Sequence, residues 1–134
     1  GEAFTHQALF DTLGEAYGPA WHRWPEPYRS PASAESIAFA ESHASRLDFF
    51  RWLYWQSDRQ LGEVQLQAVA AGMEIGIYRD LAVGPDKAGA ECWSAPRHFI
   101  PGASVGAPPD EWNPAGQNWG LPAFHPVTLR QEGY

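Results

Sequence analysis

Between Gly106 and Pro122 the chain reads GAPPDEWNPAGQNWGLP, seventeen residues with four prolines, three glycines and two tryptophans. Proline removes a backbone donor and fixes φ, whereas glycine opens φ > 0, so the composition predicts an irregular loop rather than a helix or strand. Ordered loops of this length in compact domains are usually binding or active-site loops. This one carries Asp110, Glu111, Asn113, Gln117 and Asn118 beside Trp112 and Trp119. Carboxylates, amides and indoles together suit a polyhydroxylated ring ligand, with polar groups for hydroxyls and a flat apolar face for C–H bonds. The same tryptophans equally fit a loop that plugs a core.

At 134 residues the chain is long enough for one domain with a core of its own. A formal net charge of −7 argues against nucleic acid or an anionic membrane as partner. The single cysteine, Cys92, forms no internal disulfide and is compatible with a reducing compartment. No apolar run approaches the roughly 20 residues that span a bilayer, and no signal peptide opens the chain, so a soluble, cytoplasmic protein is expected. A start at Gly1 and a stop at Tyr134 suggest a piece of a longer polypeptide.

Helical spacing of Phe4, Ala8, Leu9, Leu13 and Ala16 predicts an amphipathic helix over 4–17, with Thr5 as N-cap and Gly18-Pro19 as its stop. The segment 21–33, with three prolines and two tryptophans, reads as an extended connector. Ser33 opens a second helix. A long third helix is expected from Ser45 or Asp48 to about Ala71, its stripe of Leu47, Phe50, Tyr54, Leu61, Val64 and Ala68 packing on a sheet. The extra Phe49, Trp52, Leu53 and Trp55 suggest burial of its first half on more than one side.

MEIGIYRDLAV, residues 73–83, reads as a strand that follows this helix through Gly72, the α-to-β half of an α/β unit. Its carboxyl end delivers Arg79 and Asp80, and in parallel α/β sheets that end faces the site. Asp80 is thus a candidate functional carboxylate, or else a structural acid paired with Arg79 or capping a turn. A short helix is expected within 90–99 with Trp93 and Phe99 turned inward, then a brief extended piece at 100–105 and a final helix over 127–132. No metal-ligand spacing, phosphate-binding glycine motif or nucleophile elbow occurs, so no metal or cofactor is expected.

As an ordered set, GIYRDLAVG at 76–84, AECW at 90–93, SVGAPPD at 104–110, GQNWGLP at 116–122 and the closing HP-x-x-LR-x-x-GY resemble the 4-alpha-glucanotransferases. These are the amylomaltases or disproportionating enzymes, glycoside hydrolase family 77 of the alpha-amylase clan. FFRWLYWQSDRQL at 49–61 is similar to the helix before the same strand. The resemblance implies an α/β fold, an incomplete part of a (β/α)8 TIM barrel with a helical inserted subdomain. Residues 1–44 would be the inserted or connecting segment, and 45–134 the partial barrel with the strand near 73–83 and the cleft loop at 106–122.

It further implies a transglycosylase that moves α-1,4-glucan segments to the 4-hydroxyl of an acceptor by a retaining double displacement. Asp80, Asp110, Gln117 and Trp119 match the family's cleft pattern: Trp119 for packing or stacking on a glucose ring, Asp110 and Gln117 for holding hydroxyls or the loop itself. The family's catalytic segments, arginine-x-aspartate-histidine, glutamate-aspartate-leucine-glycine and threonine-histidine-aspartate, are absent from these 134 residues. The chain alone is therefore expected to be an inactive internal fragment whose partners are maltooligosaccharides and the rest of the parent polypeptide. A carbohydrate-binding module using Trp112 and Trp119 is the alternative.

Overall fold

The computed structural model describes residues 1–133, apart from the Glu2 side chain; Tyr134, the last residue of the closing motif, lies outside the described residues. In chain order the elements are α1 (Glu2–Tyr17), α2 (Ala34–Ser42), α3 (Ala44–Ala70), α4 (Ala90–Ser94), β1 (Phe99–Ala107), β2 (Gln117–Phe124) and α5 (Pro126–Glu132). Three single-turn 3-10 helices occupy Trp21–Arg23, Glu26–Tyr28 and Pro96–His98. Residues 21–33 are therefore a pair of tight turns rather than an extended connector. The helix expected from Thr5 starts instead at Glu2, with Gly1 in the N-cap position.

The core is helical and aromatic. Ala8, Leu9, Phe10 and Leu13 from α1 meet Trp24, Leu47 from α3, and Ala90 and Trp93 from α4. Trp24 and Trp93 are fully buried, and their rings lie 5.9 Å apart with Phe10 at 5.1 and 5.6 Å. Buried indole N–H groups need acceptors, or they forfeit the hydration they had in the unfolded chain. Here Trp24 Nε1 donates to the Gly18 carbonyl at 2.7 Å and Trp93 Nε1 to the Tyr28 carbonyl at 2.9 Å. The break after α1 and the turn at 26–28 thus supply the acceptors that let two tryptophans enter the core.

Between α1 and α3 two polar contacts set the approach. The Tyr54 hydroxyl donates to Asp11, and Arg46 pairs with Glu15 through two hydrogen bonds, one of them 2.7 Å from Nε to Oε2. Ser33 accepts from the Ser36 amide at 3.1 Å and caps α2 as its sequence position predicts. The long stripe of α3 does not behave as expected. Only Leu47 is buried, Phe50 and Tyr54 pack on the core from its edge, and Trp52, Trp55, Leu61 and Val64 are exposed. No sheet lies against the second half of α3 among the described residues, because the one sheet present is the β1–β2 ribbon farther along the chain.

Residues 73–83 form no strand. They run irregularly, with Ile75 78%, Tyr78 90% and Leu81 89% exposed. A strand exists only where a neighbour supplies its ladder, and no other strand pairs with this segment among the described residues. The Gly106–Pro122 loop also needs correction, since both of its ends are strand. β1 and β2 pair antiparallel, with Gly106 opposite Asn118 and Ala107 opposite Gln117, leaving 108–116 as the irregular tip. Glycine is what permits the pairing at 106, because a Cβ there would overlap the Gln117 carbonyl oxygen. Pro122 fits because a two-stranded ribbon leaves its nitrogen without a required partner; it lies opposite Ser104 beside a register irregularity.

At the carboxyl end, His125 N donates to the His98 carbonyl at 2.7 Å, while His125 Nδ1 accepts from the Thr128 amide at 3.2 Å and caps α5. Glu132, in the last turn, reaches back to His98 at 2.6 Å and Arg97 at 3.1 Å. Hydrogen bonding to His98 holds the Glu132 carboxyl below its usual range.

Two measurements check this core. Trp24→Ala should lower unfolding free energy by about 3–5 kcal/mol in a urea titration, the usual cost of emptying an aromatic core position; a loss under ~1 kcal/mol would contradict the packing. The second concerns Asp11, whose carboxyl is pushed above its ordinary 3.8 chiefly by burial, partly offset by the Gln7 hydrogen bond. Folding therefore favours the protonated form, and as pH rises from 3.8 the unfolded chain ionises first, so this contribution to stability is lost through the folded-state value. Asp11→Asn should gain on wild type as pH rises through that window, and a constant gap would exclude the burial effect.

Candidate functional site

The β1–β2 hairpin gathers three of the four expected site residues. Asp110 sits in its tip, where Oδ1 accepts from the backbone amides of Trp112 at 2.8 Å and Asn113 at 2.6 Å, while Asp110 N donates to the Asn113 carbonyl at 3.2 Å. An aspartate placed this way imitates a backbone turn and orders the peptide after it. One carboxylate oxygen is thus occupied in shaping the tip.

Gln117 and Trp119 lie two residues apart on β2, and the Trp119 indole N–H donates to Gln117 Oε1 at 3.0 Å. The indole, 45% exposed, is held by its polar edge with ring surface open to solvent. Gln117 Nε2 makes no hydrogen bond among the described residues. Beneath them, Asn118 Oδ1 lies 2.7 Å from the Ser104 hydroxyl and accepts from the Gly120 amide at 2.9 Å, which ties β2 to β1 at the level of Trp119. Trp112 projects from the tip and is 82% exposed. Neither hairpin tryptophan is buried, so the core-plug reading does not hold for them.

Asp80 stands apart. It is exposed on the strap that joins α3 to α4, and among the described residues no hydrogen bond or ion pair joins it to Asp110, Gln117, Trp119 or Arg79. The strap reaches the hairpin at Gly84, where a Cβ would stand 3.7 Å from Leu121 Cβ. Asp80 is thus four residues before the strap's approach to β2, and not inside the hairpin's hydrogen-bonding set.

A cavity of about 350 Å³ lies elsewhere, between α1, α3 and α4, lined by Phe4, His6, Gln7, Tyr54, Ser57 and Glu91 among others. A smaller one, about 160 Å³, opens at the foot of β1 beside Trp21, Phe99 and Ile100. Cys92 is buried, and burial with nearby Glu91 and Asp86 pushes its thiol up, the opposite of what a nucleophile needs. No cluster of three or more His, Cys, Asp or Glu side chains suited to a metal occurs among the described residues, and no helix is long and apolar enough to cross a membrane.

The hairpin therefore offers an accessible indole face, a free amide and an ordered acidic turn, which is equipment for holding a ligand. Among the described residues no hydroxyl–histidine or thiol–histidine pair involves Asp110, Gln117 or Trp119. Sequence reasoning located these residue types but missed the Trp119–Gln117 and Ser104–Asn118 contacts. The alternating positions 117 and 119 would have signalled the first had the segment been recognised as strand.

Comparison with known proteins covers the whole chain. The family model described as 4-alpha-glucanotransferase, glycoside hydrolase family 77, matches residues 1–134. The 4-alpha-glucanotransferase of Mycobacterium tuberculosis is 43% identical over 134 residues, all of this chain and 18% of that protein. The crystal structure of amylomaltase from Corynebacterium glutamicum superposes with a TM-score of 0.72 at 36% identity, covering 100% of this chain and 17% of that one. An amylomaltase from Streptococcus agalactiae, in complex with acarbose, matches with a TM-score of 0.79 at 19% identity over 98% of this chain and 28% of that one, a likeness of fold. These likenesses bear out the expected fold class, part of a TIM-barrel fold with mixed helix and strand. The chain spans under a third of the length of each, and with its full extent matched it belongs to the 4-alpha-glucanotransferase family.

Proposed function

We propose that this chain is a segment of a cytoplasmic 4-alpha-glucanotransferase and that its hairpin forms part of the cleft for α-1,4-glucan oligosaccharides. The match across all 134 residues carries the reading, and it disfavours a separate carbohydrate-binding module. The acarbose bound by the S. agalactiae amylomaltase supports an oligosaccharide ligand. In this reading residues 1–44 are the inserted or connecting segment and 45–134 a part of the barrel.

The chemistry follows from retention of configuration. One carboxylate attacks the anomeric carbon while a second protonates the departing glucan; the second then deprotonates the acceptor 4-hydroxyl, which displaces the enzyme from the glycosyl ester. Both carboxylates are assigned to the remainder of the longer protein. What these residues contribute is position. Trp119 presents its ring face to a glucose unit, steadied at its indole nitrogen by Gln117, whose amide NH2 is left to meet a hydroxyl. Asp110 holds the tip that carries Trp112, and Asp80 offers a carboxylate from the strap. Binding energy of this kind raises the occupancy of a productive geometry rather than lowering the chemical barrier directly.

Trp119→Ala in the full-length protein should raise KM for glucose-unit transfer from maltotriose about tenfold, in line with loss of an aromatic contact, with a smaller effect on kcat. Unchanged KM would remove Trp119 from the cleft. Absence of transferase activity in the unmodified full-length protein would overturn the reading as a whole.

A further inference from the structure

The strap that carries Asp80 is clipped by one side chain. Gln65, on the outer part of α3, donates from Nε2 to the Ile75 carbonyl at 3.1 Å and accepts at Oε1 from the Ile77 amide at 2.7 Å. These two bonds have a recognisable polarity. In a parallel ladder, one residue of a strand donates to the carbonyl before its opposite number and accepts from the amide after it. The Gln65 carboxamide does the same around Gly76, acting as a one-residue substitute for a neighbouring parallel strand.

Gly76 itself points to the same arrangement. It is buried although Ile75 before it is exposed and Ile77 after it only half-buried, its φ is 80°, and a Cβ there would overlap the nitrogen, oxygen and carbon of the Gln65 amide. Glycine meets both demands, the left-handed backbone and the close approach. Beyond Asp80 the strap passes β2 at Gly84, where an added Cβ would come within ordinary van der Waals distance of Leu121. Arg79 and Asp80 follow the Gln65 clip, exposed and, among the described residues, without hydrogen-bond or ion-pair partners that would orient them.

We infer that Gln65 is a positioning residue: through Gly76 it sets the path of the strap and hence the place from which Asp80 meets the glucan. The inference rests on the cleft role proposed for Asp80. A bidentate amide on a helix can set that path where an apolar contact cannot, because two hydrogen bonds of opposite sense fix register as well as distance.

The test uses the full-length protein with Gln65→Met, which keeps the side-chain length and removes both hydrogen bonds, together with Asp80→Asn and the double variant. Two readouts are taken: hydrogen exchange of peptides covering Ile77, and kcat and KM for transfer from maltotriose. Expected is faster exchange at Ile77 in Gln65→Met, a rise in KM of about tenfold with little change in kcat, and an effect that fails to add to that of Asp80→Asn, as for residues acting as one unit. Gln65→Glu, which can still accept from Ile77 but cannot donate to Ile75, should fall between. Unprotected Ile77 in the unmodified protein would overturn the clip. Faster exchange with unchanged kinetics, while Asp80→Asn impairs transfer, would overturn the positioning role and leave the function intact. A silent Asp80→Asn would overturn the cleft role of Asp80, and with it the positioning role built on it.

Discussion

The helical core of this structure depends on two buried indoles finding acceptors. Trp24 and Trp93 bring the largest apolar surfaces into the core, and each brings an N–H that must not be left bare. The Gly18 and Tyr28 carbonyls answer them. Those acceptors lie in the irregular chain between α1 and α2, so the apparent connector is part of the core's polar framework. The same logic runs outward, since Arg29 Nε donates to the Trp24 carbonyl at 2.8 Å and Trp21 Nε1 to the Lys87 carbonyl at 3.1 Å, fastening the turn region to its neighbours.

Helices are the more legible part of the sequence, for a physical reason. A helix satisfies its backbone within itself, so local signals such as Ser33 as N-cap or the 3,4 spacing of α1 suffice to find it. The hairpin and the strap mislead because a strand's backbone is satisfied by something distant in sequence. Residues 117–124 become a strand through β1, and 73–83 do not, although the second has the more strand-like composition. The outer half of α3 shows the same limit: its apolar stripe is plain in the sequence, but a stripe names no partner.

Among the site residues, residue type is legible and orientation is not. Asp110, Gln117 and Trp119 stand out by their chemistry, yet which atoms turn inward depends on the tip's hydrogen bonds and on the pairing of β1 with β2. Gln65 gives no sign at all, being one amide among the polar residues of a long helix. Its contact spans only ten to twelve positions, but it needs the strap to fold back over α3, and no local pattern encodes that return.

The aromatic cluster also sets an order of events during synthesis. Phe10 meets Trp24 early, but its contact with Trp93 closes a loop of about eighty residues, a connection whose entropic cost falls late and which needs most of the chain outside the ribosome. Until α4 emerges, the inner face of α1 has only half of its cover. A growing chain of this kind holds an open apolar surface for several seconds at ordinary elongation rates, long enough for chaperone binding to compete with folding.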